Sequence, residues 1–260
     1  MPAESPASPF WLSAFLDLAA PDHVRGVAFW AAVTGYAASA PRGQRGEFAT
    51  LVPPEGDDYL RVQRLGQGPS RVHLDLHVHD VGRAAEAAEG LGAVVVDRPD
   101  PGYLVLRSPG GLTFCFVRHR AVVIPPSASW PDVGRSRVYQ VCLDVPPASY
   151  DAECAFWAGL VGGTVEVLRS RPEFSWLRGP RQLALDVLLQ RLDVSTGSST
   201  EPVVSAHLDL GTTDREDEVA RHVALGARAG VVEEFWTVLT DPAGLAYCVT
   251  DRDPATGRLR

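Results

Sequence analysis

His73–Ala93 reads HLDLHVHDVGRAAEAAEGLGA, and His207–Ala227 reads HLDLGTTDREDEVARHVALGA. Each stretch opens with alternating polar and apolar residues, which is the period of a strand. Each then passes an Asp suited to capping a helix and closes on Leu-Gly-Ala. The duplication extends outward in both directions. Phe15–Tyr36 (FLDLAAPDHVRGVAFWAAVTGY) pairs with Cys142–Gly163 (CLDVPPASYDAECAFWAGLVGG), and Tyr103–Val117 (YLVLRSPGGLTFCFV) pairs with Trp236–Thr250 (WTVLTDPAGLAYCVT). Asp17 and Asp144, Phe29 and Phe156, and Gln63 and Gln190 are each separated by 127 positions, whereas His73 and His207 are separated by 134. One insertion near Ser195–Thr200 accounts for the step.

At 260 residues the chain is long enough for two domains with their own cores. The repeat divides it into 1–120, a linker at 121–136 containing Pro and Ser, and 137–260. A net charge of −8 argues against nucleic acid or an anionic membrane surface as partner, because both demand a basic face. No run of about 18 apolar residues is present and the N-terminus lacks the pattern of a secretory signal, so the expected location is the cytoplasm. The four cysteines contain no C-x-x-C pair and are expected as thiols.

Within one copy the pattern gives two strand–helix–strands units. Strands are expected at 12–18, 47–52, 59–65, 72–78, 94–97, 103–107 and 112–117, with helices opening at Asp22 and Asp80 and closing at Gly35 and Gly92. This is a βαβββ order, repeated, and it gives an α+β fold in which helices cover one face of a sheet. Strand parity assigns the faces. Leu74, Leu76 and Val78 oppose His73, Asp75, His77 and His79; Leu208 and Leu210 oppose His207 and Asp209; Val141, Leu143 and Val145 oppose Gln140, Cys142 and Asp144. The polar faces are the candidate lining of a concave site.

The ordered set of Ala28-Phe29-Trp30, His73-Leu-Asp-Leu76, Leu91-Gly92-Ala93 and SPGGLTFCFV, each with its counterpart in the second copy, resembles the vicinal oxygen chelate superfamily, the glyoxalase / bleomycin-resistance / dioxygenase group. The resemblance implies tandem, paired βαβββ units curling around clefts. In metal-using members it implies four ligand positions, which fall here on Ser13, Gln63, His73 and Cys115, and on Gln140, Gln190, His207 and Cys248. The carboxylates expected on the closing strands are replaced by Gln and Cys. Hard cations prefer carboxylates and water. A His–Cys pair suits zinc, but a stable site needs three or four good ligands. The expectation is therefore a site without the usual metal, a divalent cation being the alternative.

The candidate ligand-binding residues are Gln63, His73, Asp75, His77, Gln140, Trp176, Gln190, His207 and Asp209. His73 and His207 read equally as titrating groups and as hydrogen-bonded histidines that fix the sheet. His77 has no counterpart in copy two, and at about 3.3 Å per residue it stands about 13 Å from His73. Trp176 aligns with Thr50, so the two clefts differ in bulk. Cys115 and Cys248 read as small buried hydrophobes. Three functions stay open: a metal-independent binder of a small molecule, a metal-dependent lyase, isomerase or dioxygenase, and a scaffold that only dimerises. The duplication makes the chain its own pseudo-dimer, as a monomer or as half of a homodimer.

Overall fold

The computed structural model describes residues 7–100, 102–180, 182–193 and 203–260. The proposed insertion at Ser195–Thr200 lies outside them. In the first repeat the elements are β1 (Trp11–Ala19), α1 (His23–Thr34), β2 (Ala37–Ala38), β3 (Phe48–Val52), β4 (Leu60–Leu65), β5 (Arg71–His77), α2 (Val81–Gly90), β6 (Val94–Asp100), β7 (Tyr103–Arg107) and β8 (Thr113–Val117). After β9 (Ala128–Trp130), the second repeat runs β10 (Gly134–Val145), α3 (Tyr150–Val161), β11 (Thr164–Val167), β12 (Phe174–Arg178), β13 (Asp186–Arg191), β14 (Ser205–Thr212), α4 (Arg215–Ala224), β15 (Arg228–Val232), β16 (Trp236–Thr240) and β17 (Ala246–Thr250). This is the tandem βαβββ order read from the sequence. No helix among the described residues is long and apolar enough to cross a membrane.

Three of the four strand–helix–strands units share one plan, and β13 and β10 of the fourth are likewise neighbours. The strand before the helix lies parallel to the last strand after it, as β1 does to β4, β5 to β8 and β14 to β17. The remaining strands add in antiparallel fashion, β3 on β4, β7 on β8 and β16 on β17. A parallel neighbour requires a crossover, and the helix supplies it.

Local chemistry sets the helix ends. Asp80 and Asp214 cap α2 and α4, their Oδ1 atoms accepting from the backbone N–H of Arg83 at 3.0 Å and of Asp217 at 3.2 Å. Asp22 stands at the start of α1 but makes no side-chain cap; its Oδ1 pairs with Arg25 Nη2 at 2.5 Å. The chain leaves α1 through Gly35, whose φ of 72° is the left-handed conformation that glycine adopts without strain. The linker is more ordered than its composition suggests. β9 pairs antiparallel with the start of β10, Ser136 facing Ala128, and Trp130 Nε1 donates to Ser136 Oγ at 2.8 Å.

The compact units are not the sequence repeats. One comprises residues 1–13, 73–121 and 142–206; the other comprises 14–72, 122–141 and 207–260. The repeated Phe-Trp pair explains the interleaving. In the first unit α3 buries Phe156 and Trp157 against Phe114 of β8, with ring centroids 5.7 and 5.6 Å apart. In the second, α1 places Trp30 5.2 Å and Phe29 6.0 Å from Tyr247 of β17. Each helix thus spends its largest apolar area on the closing strand of the other repeat. The two indole N–H groups find acceptors, Trp157 on Glu153 Oε2 at 2.7 Å and Trp30 on Asp241 Oδ2 at 2.8 Å.

Candidate functional site

Strand register brings three chemically capable side chains together in each unit. In the parallel pair β5·β8, Asp75 lies directly across from Cys115. His73, two residues before Asp75, shares its face. The same arrangement recurs in β14·β17, where Asp209 faces Cys248 and His207 precedes it by two. The donor atoms of His73, Asp75 and Cys115 lie within 4.8 Å of one another, as do those of His207, Asp209 and Cys248. His Nε2 and Asp Oδ1 are 3.7 Å apart in the first set and 3.5 Å in the second. His73, Asp75, Cys115, Asp209 and Cys248 are buried, while the His207 side chain keeps 16% of its surface exposed.

The surroundings of the two triads differ. In the second unit Gln140 is buried and its Nε2 donates to Asp209 Oδ2 in a short hydrogen bond. The Gln140 Oε1 atom has no hydrogen-bond partner among the described residues. Burial, with the Asp209 charge adding to it, pushes the Cys248 thiol up to about 11 against the opposing effect of His207. As a free group it is therefore S–H near neutrality and a poor nucleophile.

In the first unit Ser13 takes the position of Gln140. Its hydroxyl lies 2.9 Å from His77 Nε2, and His77 Nδ1 lies 2.9 Å from the carbonyl oxygen of His119. The carbonyl only accepts, so Nδ1 carries the proton and Nε2 accepts from Ser13. His77 is fully buried in this arrangement. Its side chain is engaged by Ser13 and by the backbone carbonyl of His119. Copy two has Gly211 here for a steric reason. A Cβ on Gly211 would lie 2.8 Å from the Arg252 carbonyl oxygen and 3.2 Å from Pro254 Cα, which occupy that space.

The remaining candidates lie on other strands. Gln63 lies on β4 and is half-buried. Gln190 lies on β13, where its Oε1 receives a long contact of 3.9 Å from the Cys142 thiol. Trp176 is buried in β12 with the Arg178 guanidinium 4.9 Å from its ring centroid. A cavity of about 50 Å³ in the first unit, lined by Ser8, Pro9, Val161, Leu177, Leu185 and Val187 among others, includes none of these residues. Cys115 and Cys248 are buried, as the sequence reading of small hydrophobes expects. Pairing the first and last strands of each unit in parallel would have placed each beside its Asp.

The superfamily's metal provides a test of fit. The four inherited positions supply Gln or Ser where a strong ligand is needed, so that set fits poorly. The His–Asp–Cys triads fit better. Bonds of about 2.0 Å to N and O and 2.3 Å to S place tetrahedral donors about 3.3–3.6 Å apart, and the His–Asp separations of 3.7 and 3.5 Å are close to this.

A family model described as "Glyoxalase-like domain" matches residues 13–117 and again 140–250. No curated protein sequence is matched significantly. Among solved structures, the chain is similar to a variant of 4-hydroxymandelate synthase from Streptomyces coelicolor, with 13% identity, a TM-score of 0.63, and coverage of 97% of this chain and 96% of that one. It is similar also to 2,2',3-trihydroxybiphenyl 1,2-dioxygenase from Sphingomonas wittichii, with 16% identity, a TM-score of 0.59, and coverage of 97% and 93%. An extradiol ring-cleaving dioxygenase from B. fuscum gives 16% identity, a TM-score of 0.61, and coverage of 99% and 76%. Identities this low establish the common fold. The two matches of the family model, covering most of the chain, establish that it belongs to the glyoxalase-like domain family within the vicinal oxygen chelate superfamily, with the domain present in tandem.

Proposed function

We propose that the protein binds a small polar molecule at its His–Asp–Cys triads, without the metal-ligand set usual in its superfamily. The observation that carries this reading is the recurrence of the same three side chains in both compact units, their donor atoms within 4.8 Å of one another in each. Burying such groups costs free energy that an uncommitted scaffold would shed by substitution. A few convergent polar groups in an otherwise apolar setting are the usual composition of a small-molecule site. The triad of the second unit, with His207 only partly buried, is the more accessible one.

A second reading, a metal-dependent lyase, isomerase or dioxygenase, is favoured by the spacing of nitrogen, oxygen and sulfur donors in the triads and by the dioxygenases among the structural neighbours. A bound divalent cation would supply Lewis-acid polarisation of a substrate oxygen. His207 or His73, as a nitrogen donor, and the paired Asp would hold it.

Thermal-shift screening of the full chain against small carboxylates, phenols and amines tests the main reading. A true ligand at about 100 times its Kd stabilises the fold by about 2.7 kcal/mol. His207→Ala and Asp209→Asn are expected to abolish the shift produced by the hit while leaving the unliganded melting curve cooperative. A panel without a hit, or a hit whose shift survives substitution in both triads, refutes it. The metal-dependent and scaffold readings then remain.

A further inference from the structure

Four strands close the ends of the two sheets, β2 and β6 in one, β11 and β15 in the other. An end strand presents backbone N–H and C=O groups along its outer edge, which makes it a template for pairing with another chain. Three of the four are blunted. β2 is two residues long. β6 carries Asp97, Arg98 and Pro99 and two register shifts against β7. β11 has Glu166 within it, 3.5 Å from Arg178 Nε. β15 has a single register shift, between Ala229 and Val232, and that stretch holds neither proline nor charge. All five residues of β15 are exposed, Val231 by 61% and Val232 by 70%.

We infer that β15 is a homodimer surface, pairing antiparallel with β15 of a second copy of this chain about a two-fold axis at Val231. This concerns assembly and is independent of what the triads bind.

Charge names the occupant. The strand opens on Arg228 and runs out into Glu233 and Glu234. A parallel neighbour of the same sequence would set like charges side by side. An antiparallel one, with Val231 opposite itself, sets Arg228 opposite Glu234 of the second copy, twice by symmetry. The acidic end is already fixed in place. Arg215 donates from Nη1 to the Glu233 carbonyl oxygen at 2.8 Å and from Nη2 to that of Glu234 at 3.1 Å, and the Glu233 N–H donates to the Trp236 carbonyl oxygen at 2.8 Å. A segment ordered beforehand loses less entropy on association. A two-fold contact uses the same patch on both copies and closes on itself, so assembly stops at two.

The test is sedimentation of the full chain at loadings from about 1 μM to about 1 mM. The expected result is a mean mass that rises with concentration toward twice that of one chain. Arg228→Glu alone and Glu234→Lys alone should each weaken association by about tenfold or more, since symmetry counts each altered pair twice. Mixed in equal amounts, the two variants should regain association, because each supplies the charge the other lacks. Val231→Lys, which sets two ammonium groups together at the axis, should leave a monomer. Val94→Lys, on the other exposed valine edge, should sediment as the wild type. Arg228, Glu234, Val231 and Val94 are all exposed, and far-ultraviolet circular dichroism checks that each variant keeps the fold. A wild-type mass that stays at one chain throughout, a dimer left intact by Arg228→Glu and Val231→Lys, a dimer lost in Val94→Lys, or a mixture no more associated than its components overturns the assignment.

Discussion

Replacing Trp30 with alanine is expected to cost the fold about 3–5 kcal/mol, the largest effect of any single truncation considered. Trp30 is fully buried, packs on Phe29 at 5.7 Å and on Tyr247 at 5.2 Å, and donates its indole N–H to Asp241. Truncation opens a cavity and strands the carboxylate. Asp241 is already sensitive: burial raises its pKa, and hydrogen bonds from Trp30, Leu245, Ala243 and Gly244 pull it back. Trp30→Phe separates the two losses. It keeps most of the ring but removes the donor, for an expected cost of about 1–3 kcal/mol. Urea unfolding at constant m-value measures both. A loss under about 1 kcal/mol for the alanine variant would mean that the helix does not depend on the opposite repeat's closing strand.

The second large effect comes from α4. Glu218 is fully buried and meets Arg221 Nη2 at 2.7 Å and His222 Nε2 at 3.0 Å. Because a carboxylate only accepts, His222 carries its proton on Nε2 and accepts from Tyr247 O–H, 3.0 Å away, at Nδ1. Removing one partner of a buried charged pair costs about 3–5 kcal/mol, so Glu218→Ala should approach Trp30→Ala in severity.

The pH dependence gives the cluster a signature. Burial acts to raise the Glu218 pKa, but hydrogen bonds from His222 and Arg221 outweigh it and hold the carboxyl at about 2, against 4.5 ordinarily. Its contribution, about 3 kcal/mol, is therefore present above pH 4.5 and lost as pH falls through about 2. Burial lowers the pKa of His222 from 6.5, so its contribution begins to be lost as pH falls below 6.5. Asp241, raised from 3.8, acts in the opposite sense because it takes up its proton in the fold first. Urea midpoints from about pH 3 to 8 should decline on the acid side, and Glu218→Gln should flatten the limb below pH 4.5. An unchanged acid limb in that variant would remove Glu218 from the account.

The repeat was legible because it was written in residues with strong local meaning. Asp80 and Asp214 cap, Gly35 terminates, and the alternation in HLDL sets a strand. What escaped was information carried between segments. Nothing local in FCFV distinguishes Cys115 from a small hydrophobe; its place beside Asp75 appears only when β5 and β8 pair in parallel. The interleaved units had the same cause. Phe156-Trp157 reads as a helix's apolar face, but the sequence does not say that Phe114 of the other repeat receives it. The contacts of His77 with Ser13 and the His119 carbonyl likewise join chain segments far apart in sequence. β9 was hidden in a linker whose Pro and Ser content resembles a loop.

Histidine-ring NMR of the full chain, titrated with a screened ligand, tests the central claim most directly. The chain has 7 histidines, of which His73 and His207 belong to the triads. The expected result is that the imidazole signals of His207, His73 or both move with the binding isotherm, while His77 and His222, held at both nitrogens, stay in place. Saturation that leaves both His73 and His207 unmoved would contradict the assignment of the triads as the ligand site.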